Sequence, residues 1–140
     1  MGTKPAINFL DLMESIKNTL QEAFPEFEVL NYDDDAKLTV KTILVALDSF
    51  ERPENPVPEF FTLSCEFSAY IFIPFALESS TEIKQKAVEL AYVIDGNNFG
   101  NSNIFKKSKF LAAEPDPFNE KTDDAEIWRV HWNTDIKQKG

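Results

Sequence analysis

The feature that most constrains the fold is a strict alternation of side chains between Glu59 and Ile73. Every second residue from Phe61 to Ile73 is apolar or small, whereas the intervening positions are polar in the middle and aromatic near the ends. Successive side chains of a β-strand point to opposite faces, so this pattern predicts one long, half-buried strand. Cys65 falls on the apolar face, and we expect it to be a small buried residue instead of a reactive thiol.

A second strand with the same asymmetry lies near the end of the sequence, over Glu126–Ile136. Its apolar face holds Trp128, Val130, Trp132 and Ile136, and its polar face holds Arg129, His131, Asn133 and Asp135. A shift of one residue would exchange the two faces, so the register is strongly specified. Two such strands predict a sheet with helices on one face and with a second face that is hydrated or binds a partner.

Helical spacing of apolar residues predicts two helices. The first covers residues 5–23, with Pro5 in its first turn and Pro25 just beyond its end. The second begins at a capping box, Ser79 to Glu82, and stops at Gly96, which supplies a left-handed residue. The predicted buried positions are Phe9, Leu12 or Met13, Ile16, Leu20 and Phe24 in the first helix, and Ile83, Ala87, Leu90, Ala91 and Ile94 in the second.

Three shorter strands complete the predicted elements, over Phe27–Tyr32, Thr42–Leu47 and Ile104–Ala113. The segment Phe50–Pro58 contains three prolines, which predicts an exposed and stiff loop. With no internal repeat and no long linker, we expect residues 1–140 to form a single domain. The predicted fold class is α/β (α+β): a two-layer sandwich with a mixed or antiparallel sheet of about four to five strands and two helices packed on one face.

Charge narrows the range of partners. Acidic residues outnumber basic residues 24 to 14, which gives a formal net charge of −10. Binding to DNA or RNA depends on lysine and arginine neutralising phosphates, so this balance argues against nucleic acid. An anionic membrane surface is disfavoured for the same reason, and no apolar run approaches the ~20 residues of a membrane-spanning helix. We expect a cytoplasmic protein whose partners are other proteins.

We predict no catalytic, cofactor-binding or metal-binding residue. His131, the single histidine, lies on a polar strand face with Glu66 as a candidate neighbour, but the sequence places no nucleophile or orienting carboxylate beside it. Asp33 and Asp35 resemble the start of a calcium loop, yet Leu38 and Leu44 stand where that loop needs glycine and glutamate. The acidic clusters are interpreted as solvated turns: Asp33–Asp35, Glu114 with Asp116, and Asp123 with Asp124.

Several short motifs, in this order, resemble a family of small tail proteins from Mu-like phages and prophages. The motifs are the first helix ending near Pro25, the strand Ile43-Leu-Val45, the loop Phe50-Glu-Arg-Pro53, the turn Gly96-Asn-Asn-Phe-Gly100, and Ala112-Ala-Glu-Pro-Asp116 leading into Trp128-Arg-Val-His-Trp132. Members of that family are similar in fold to tail terminators, which cap the tail tube. The segment from Asp33 to Lys41 departs from the family pattern.

The resemblance implies a structural protein and not an enzyme. Tail-terminator-like subunits form rings, usually hexameric, that cap or join the tail tube, first in the bacterial host cytoplasm and then in the virion tail. The implied partners are other copies of the chain and other tail proteins, with no cofactor. The candidate subunit-interface residues are Phe50 and Phe99 as exposed anchors and Arg52 and Arg129 as cations. The alternatives are a monomeric protein-binding module that uses the polar sheet face, and a metal-dependent hydrolase built on the acidic loops.

Overall fold

The computed structural model describes residues 7–34, 39–55, 60–74, 80–116 and 125–138. In these segments two helices and five strands follow one another as α1 (Phe9–Ala23), β1 (Glu28–Asn31), β2 (Thr42–Glu51), β3 (Thr62–Pro74), α2 (Ser80–Ile94), β4 (Ile104–Pro115) and β5 (Ala125–Lys137). The order and type of the elements agree with the prediction, and the α+β fold class is confirmed.

The strands form one mixed sheet in the order β1-β2-β3-β5-β4. Strands β1 and β2 are parallel, and the other neighbouring pairs are antiparallel. The two long strands that the alternation predicted, β3 and β5, pair along their whole length, from Thr62 opposite Lys137 to Pro74 opposite Ala125. The central position of β3 explains why its apolar face is so regular, since strands flank it on both sides.

Both helices pack on the same face of the sheet and bury one continuous core. Phe67 and Trp132 stack at its centre, with ring centroids 5.5 Å apart and an interplanar angle of 17°. Around them lie the buried side chains of both helices: Leu12, Met13, Ile16 and Leu20 from α1, and Ile83, Ala87, Leu90 and Ile94 from α2. The predicted helical stripes are therefore confirmed except at Phe9, which is 43% exposed, and at Ala91, which is half-buried.

Helix α1 begins later than the predicted residue 5. Asn8 is its N-cap, and its side chain accepts a hydrogen bond of 3.1 Å from the backbone N–H of Asp11. Such a cap satisfies one of the free donors at a helix start, which the prediction overlooked. Pro5 and Ser79, on which the predicted helix starts relied, lie outside the described residues. The predicted stop of α2 is confirmed, because Gly96 has a φ of 75°.

Strand β2 extends beyond the predicted end at Leu47. The pairing with β3 shifts register between Leu47 and Ser49, so Asp48 is the extra residue of a β-bulge. The strand then continues to Phe50, opposite Cys65, and Glu51, opposite Ser64. The prediction that Phe50 belongs to the proline-rich loop is wrong. A proline prevents strand pairing only at its own position, and the first proline of the segment comes after the end of β2.

The second face of the sheet is less uniformly hydrated than predicted. Glu66 is exposed there, but Ser68, Thr42 and Phe72 are buried, with exposures of 0%, 1% and 3%. Phe72 lies in register between Thr42 of β2 and Ile127 of β5. Of the helices in the described segments, neither is long and apolar enough to cross a lipid bilayer.

Candidate functional site

Among the described residues, part of the core side of the sheet stays exposed at one end. Strand β2 continues past its bulge to Glu51, and α1 begins at Phe9. Phe50 and Phe61 remain 59% and 57% exposed. An apolar groove of about 470 Å³ results, lined by Ile7, Phe9, Leu12, Leu47, Phe50, Phe61, Leu63, Cys65, Phe67 and Ile136.

Every side chain that lines the apolar groove is apolar. Large contiguous apolar patches on a folded domain often mark interaction sites. Covering a large apolar side chain contributes roughly 1.5–3 kcal/mol when it goes from fully exposed to buried. Phe50 and Phe61 are each little more than half exposed, so a partner would gain about half of that range from each ring. The apolar groove therefore offers surface that a partner could remove from water.

A second and more polar hollow lies on the other side of Phe9, between α1 and the turn after β1. Its volume is about 620 Å³, and its lining combines carboxylates with exposed apolar groups: Phe9, Leu10, Met13, Glu14, Asn31, Tyr32, Asp33, Asp34, Val45, Ala46 and Leu47. Leu10 is 79% exposed and Tyr32 is 53% exposed. We refer to it below as the acidic hollow. Its volume exceeds that of the apolar groove. Its walls include the first turns of α1 and the turn after β1.

Charged groups on the polar face are bonded to one another across three strands. Arg129 of β5 donates from Nε to Ser68 Oγ and from Nη2 to Asp48 Oδ2, both at 2.8 Å. Ser68 Oγ in turn donates to the same oxygen of Asp48. Burial alone would lower the pKa of Arg129, but the hydrogen bond and charge of Asp48 raise it. The bulge at Asp48 thus places a carboxylate directly against the guanidinium of Arg129.

Two further titratable groups flank this network. Burial raises the pKa of Tyr70, and the nearby charge of Asp48 raises it further. His131 lies opposite Ser68 in the sheet, with Nε2 3.6 Å from Oε1 of Glu114. Glu66, the predicted candidate neighbour of His131, lies one pair further along the same face, opposite Asn133.

Lysines concentrate on the other edge strand, β4. Lys106, Lys107 and Lys109 are all exposed, and Lys106 forms an ion pair of 3.5 Å with Asp135. We call these three residues the basic patch. Among the described residues, neither Lys107 nor Lys109 has a carboxylate within ion-pair distance. Strand β1 at the opposite edge carries no lysine, so the two edges of the sheet differ in charge.

The structure separates the four predicted interface residues. Phe50 is exposed as predicted and lines the apolar groove, and Arg52 is exposed just beyond β2. Phe99 is not an exposed anchor: it is 4% exposed and its ring centroid lies 6.2 Å from that of Trp132. Arg129 is a cation on the polar face, but its own chain already binds it through Asp48.

The error at Phe99 has a conformational cause. Its φ is 53°, which is uncommon for a bulky residue. The side chain of Asn97 accepts a hydrogen bond of 2.7 Å from the Phe99 N–H and supports the turn. This left-handed conformation directs the ring into the core, although turn residues surround it in the sequence.

Sequence reasoning missed the second aromatic of the groove and the basic patch. Phe61 was assigned to the buried face of the long strand, but β3 begins only at Thr62. The signal for the basic patch was the short run Lys106-Lys-Ser-Lys109 in a chain of strongly negative net charge. For a metal ion, the described residues contain no group of three or more histidine, cysteine or acidic side chains close enough to bind one. Asp35, Asp123 and Asp124 lie outside those residues.

Comparison with known proteins supports the fold alone. No protein-family model and no curated protein matches the chain. Among the solved structures that are similar, one has a TM-score of 0.60 and 11% sequence identity to this chain. The similarity covers 96% of this chain and 99% of that chain. A similar overall fold therefore recurs in a protein with only 11% sequence identity to this chain.

Proposed function

We propose that the chain is a structural tail-assembly protein of a phage or prophage, similar to a tail terminator. In this proposal the subunits form a ring that caps or joins the tail tube, in the bacterial host cytoplasm during assembly and in the virion tail afterwards. The protein acts through subunit contacts, without a covalent step and without a cofactor. The order of sequence motifs supports the family, and the two-layer α+β fold is compatible with it.

The apolar groove is the observation that carries a binding role. It lies where β2 ends and β3 begins. The groove therefore opens at one end of the strands, which we call the pole of the sheet, and not along an edge strand. A subunit whose edges meet its neighbours in a ring keeps this pole free to face along the ring axis. In the proposed ring the groove would contact the end of a tail tube, and Phe50 and Phe61 are the rings that such a contact would cover.

The test is tube capping by a groove variant. We expect Phe50→Ser to fold normally, because the side chain is more than half exposed, but to bind purified tail tubes at least about tenfold more weakly. Tyr92→Ser is the matched control, since Tyr92 is an 85% exposed aromatic on α2 outside the groove. Co-sedimentation with tubes measures binding, and the distribution of tube lengths in negative-stain images measures capping.

Two results would count against the proposal. One is a wild-type chain that neither binds tubes nor changes their length distribution. The other is a Phe50→Ser variant with wild-type tube binding, which would remove the groove from the contact. An equal loss in Tyr92→Ser and Phe50→Ser would likewise show that tube binding does not depend on the groove in particular.

A further inference from the structure

The basic patch is unusual in a chain of net charge −10. Lys107 and Lys109 project from an edge strand without a carboxylate partner among the described residues. Lysine on an edge strand commonly serves to prevent pairing with another strand. Here the turn after α2 already prevents such pairing, because it occupies the outer side of β4. The backbone carbonyl of Ser108 accepts a hydrogen bond of 2.7 Å from the Gly96 N–H, and the Ser108 N–H donates one of 3.0 Å to the carbonyl of Asn97.

The edge is blocked a second time near its middle. The N–H of Phe110 donates to Oδ1 of Asp95 at 3.0 Å, and three register irregularities interrupt the pairing of β4 with β5. Addition of a strand is therefore disfavoured by the backbone alone. The lysines are in excess of what protection of this edge requires, and their side chains are available for a contact with an acidic surface.

The acidic hollow lies at the opposite edge of the same sheet. It presents Glu14, Asp33 and Asp34 beside the exposed apolar side chains of Leu10 and Tyr32. Among the described residues, Asp33 has no lysine or arginine within ion-pair distance, whereas Glu14 forms a pair with Lys17 on the surface of α1. The hollow thus offers carboxylates and apolar contacts together, which suits the stems and charged ends of lysine side chains.

The two surfaces lie at similar heights along the strands. Lys109 is opposite Asn133, Asn133 is opposite Glu66, and Glu66 is opposite Ser49 of β2. The acidic hollow reaches Leu47 of β2, only two residues away, or about 7 Å along a strand. Copies placed side by side in the same orientation therefore bring the basic patch of one near the acidic hollow of the next.

We propose that the basic patch of one copy docks in the acidic hollow of a second copy, and that this is the lateral contact of the ring. The contact is head-to-tail, since each copy contributes a different surface on each side, and such contacts close into a ring when the rotation permits. The inference rests on the proposed function for the ring, but it concerns only the contact between subunits. A nucleic acid is a poorer occupant of the basic patch, because the surrounding net negative charge repels it.

Charge reversal in two complementary variants tests the contact. The first is Lys107→Glu/Lys109→Glu, which leaves the Lys106–Asp135 pair intact. The second is Glu14→Lys/Asp33→Lys, which leaves Asp34 in place because its side chain accepts a hydrogen bond from Asn31 N–H. Alone, each variant carries like charges on both of its contact surfaces, and we expect its self-association to weaken by at least about tenfold.

An equimolar mixture of the two variants is expected to restore association. Each interface in the mixture then joins opposite charges, so the copies alternate around a ring with an even number of subunits. Sedimentation velocity over a range of concentrations and negative-stain images give the readout, with circular dichroism to confirm folding. Lys84→Glu is the control, since it adds negative charge at an exposed position of α2 outside both surfaces. If a reversed variant fails to fold, Lys107→Gln/Lys109→Gln and Asp33→Asn replace it, and weakened association is again expected.

The outcomes separate this inference from the proposed function. Rings that form equally well from either variant alone, or a mixture that does not recover, would overturn the lateral contact while tube capping still stands. A wild-type chain that stays monomeric at every concentration and fails to cap tubes would overturn the proposed function and the contact with it. Binding of a fluorescent DNA oligonucleotide that is lost on Lys107→Glu/Lys109→Glu would assign the basic patch to nucleic acid and overturn the inference.

Discussion

In the network of Asp48, Ser68 and Arg129, the contacts set the size of the coupling energy between Asp48 and Arg129. Two hydrogen bonds of 2.8 Å hold the guanidinium, and the side chains of Arg129 and Asp48 are 24% and 21% exposed. A hydrogen bond to a charged group contributes about 1.5–3 kcal/mol net, whereas an exposed ion pair contributes about 0–1 kcal/mol. Because this pair is mostly but not fully buried, we expect a coupling of about 1.5 kcal/mol between Asp48 and Arg129.

A double-mutant cycle measures this coupling. Asp48→Ala is expected to cost about 2 kcal/mol, because it leaves the Arg129 guanidinium with Ser68 as its remaining hydrogen-bond partner. Arg129→Met removes the charge and keeps most of the apolar stem. The double variant should cost about 1.5 kcal/mol less than the sum of the single variants. Urea unfolding followed by tryptophan fluorescence gives the free energies.

The helix pair Glu14 and Lys17 is the control for the cycle. Their side chains are 3.0 Å apart, but that of Glu14 is 58% exposed, so a coupling of about 0.3–0.5 kcal/mol is expected. Additivity of Asp48→Ala and Arg129→Met within about 0.5 kcal/mol would refute the reasoning. It would mean that the network contributes little to folding and that Arg129 is available to a partner, as its sequence position suggested.

Three further predictions concern folding and pH. Phe99→Ala should lower the free energy of unfolding in urea by about 3 kcal/mol because the ring packs on Trp132. Phe99→Gly should lower it by about 0.5–1 kcal/mol less than Phe99→Ala does, since glycine tolerates the positive φ. Burial raises the pKa of Cys65 to about 12, so a thiol reagent at mildly alkaline pH should label it only after unfolding, and rapid labelling of the native chain would contradict this. Burial alone would raise the pKa of Glu26, but its backbone hydrogen bond and Lys86 lower it from 4.5. The ionised Glu26 therefore contributes a small stabilisation that is present above pH 4.5 and is lost as the pH falls further. Lys86→Met should flatten the acid side of a curve of unfolding free energy against pH.

Periodicity was sufficient to predict the elements whose surroundings are regular. Strands β3 and β5 lie inside the sheet, so every second side chain meets the same core and the alternation is visible in the sequence. The stripe of α2 is equally clear because the helix packs on the sheet over its whole length. In these elements the environment of each residue repeats with the period of the backbone, and local pattern and final structure agree.

The candidate site was less predictable because it depends on where one element ends relative to another. Phe50 and Phe61 are large apolar side chains of the kind that fill a core, yet both are more than half exposed where β2 ends and β3 begins. Phe99 shows the opposite case, in which a residue among turn formers is buried by its left-handed conformation. Neither outcome follows from spacing along the chain, since both depend on contacts between residues distant in sequence.

For the proposed contacts, the apolar groove and the edges of the sheet are better suited than the polar face. On that face Asp48, Ser68 and Arg129 already bond to one another, so a partner would have to replace existing hydrogen bonds and would gain little net energy. At the groove, by contrast, a partner that covers Phe50 displaces only water. At the β4 edge, Lys107 has no ion pair with a carboxylate of the described residues that a partner would have to break. A polar surface that is internally bonded stabilises the fold, whereas an apolar or single-sign surface without a partner favours association. The two contacts should consequently differ in salt dependence, because screening weakens attraction between charges but does not weaken burial of apolar surface.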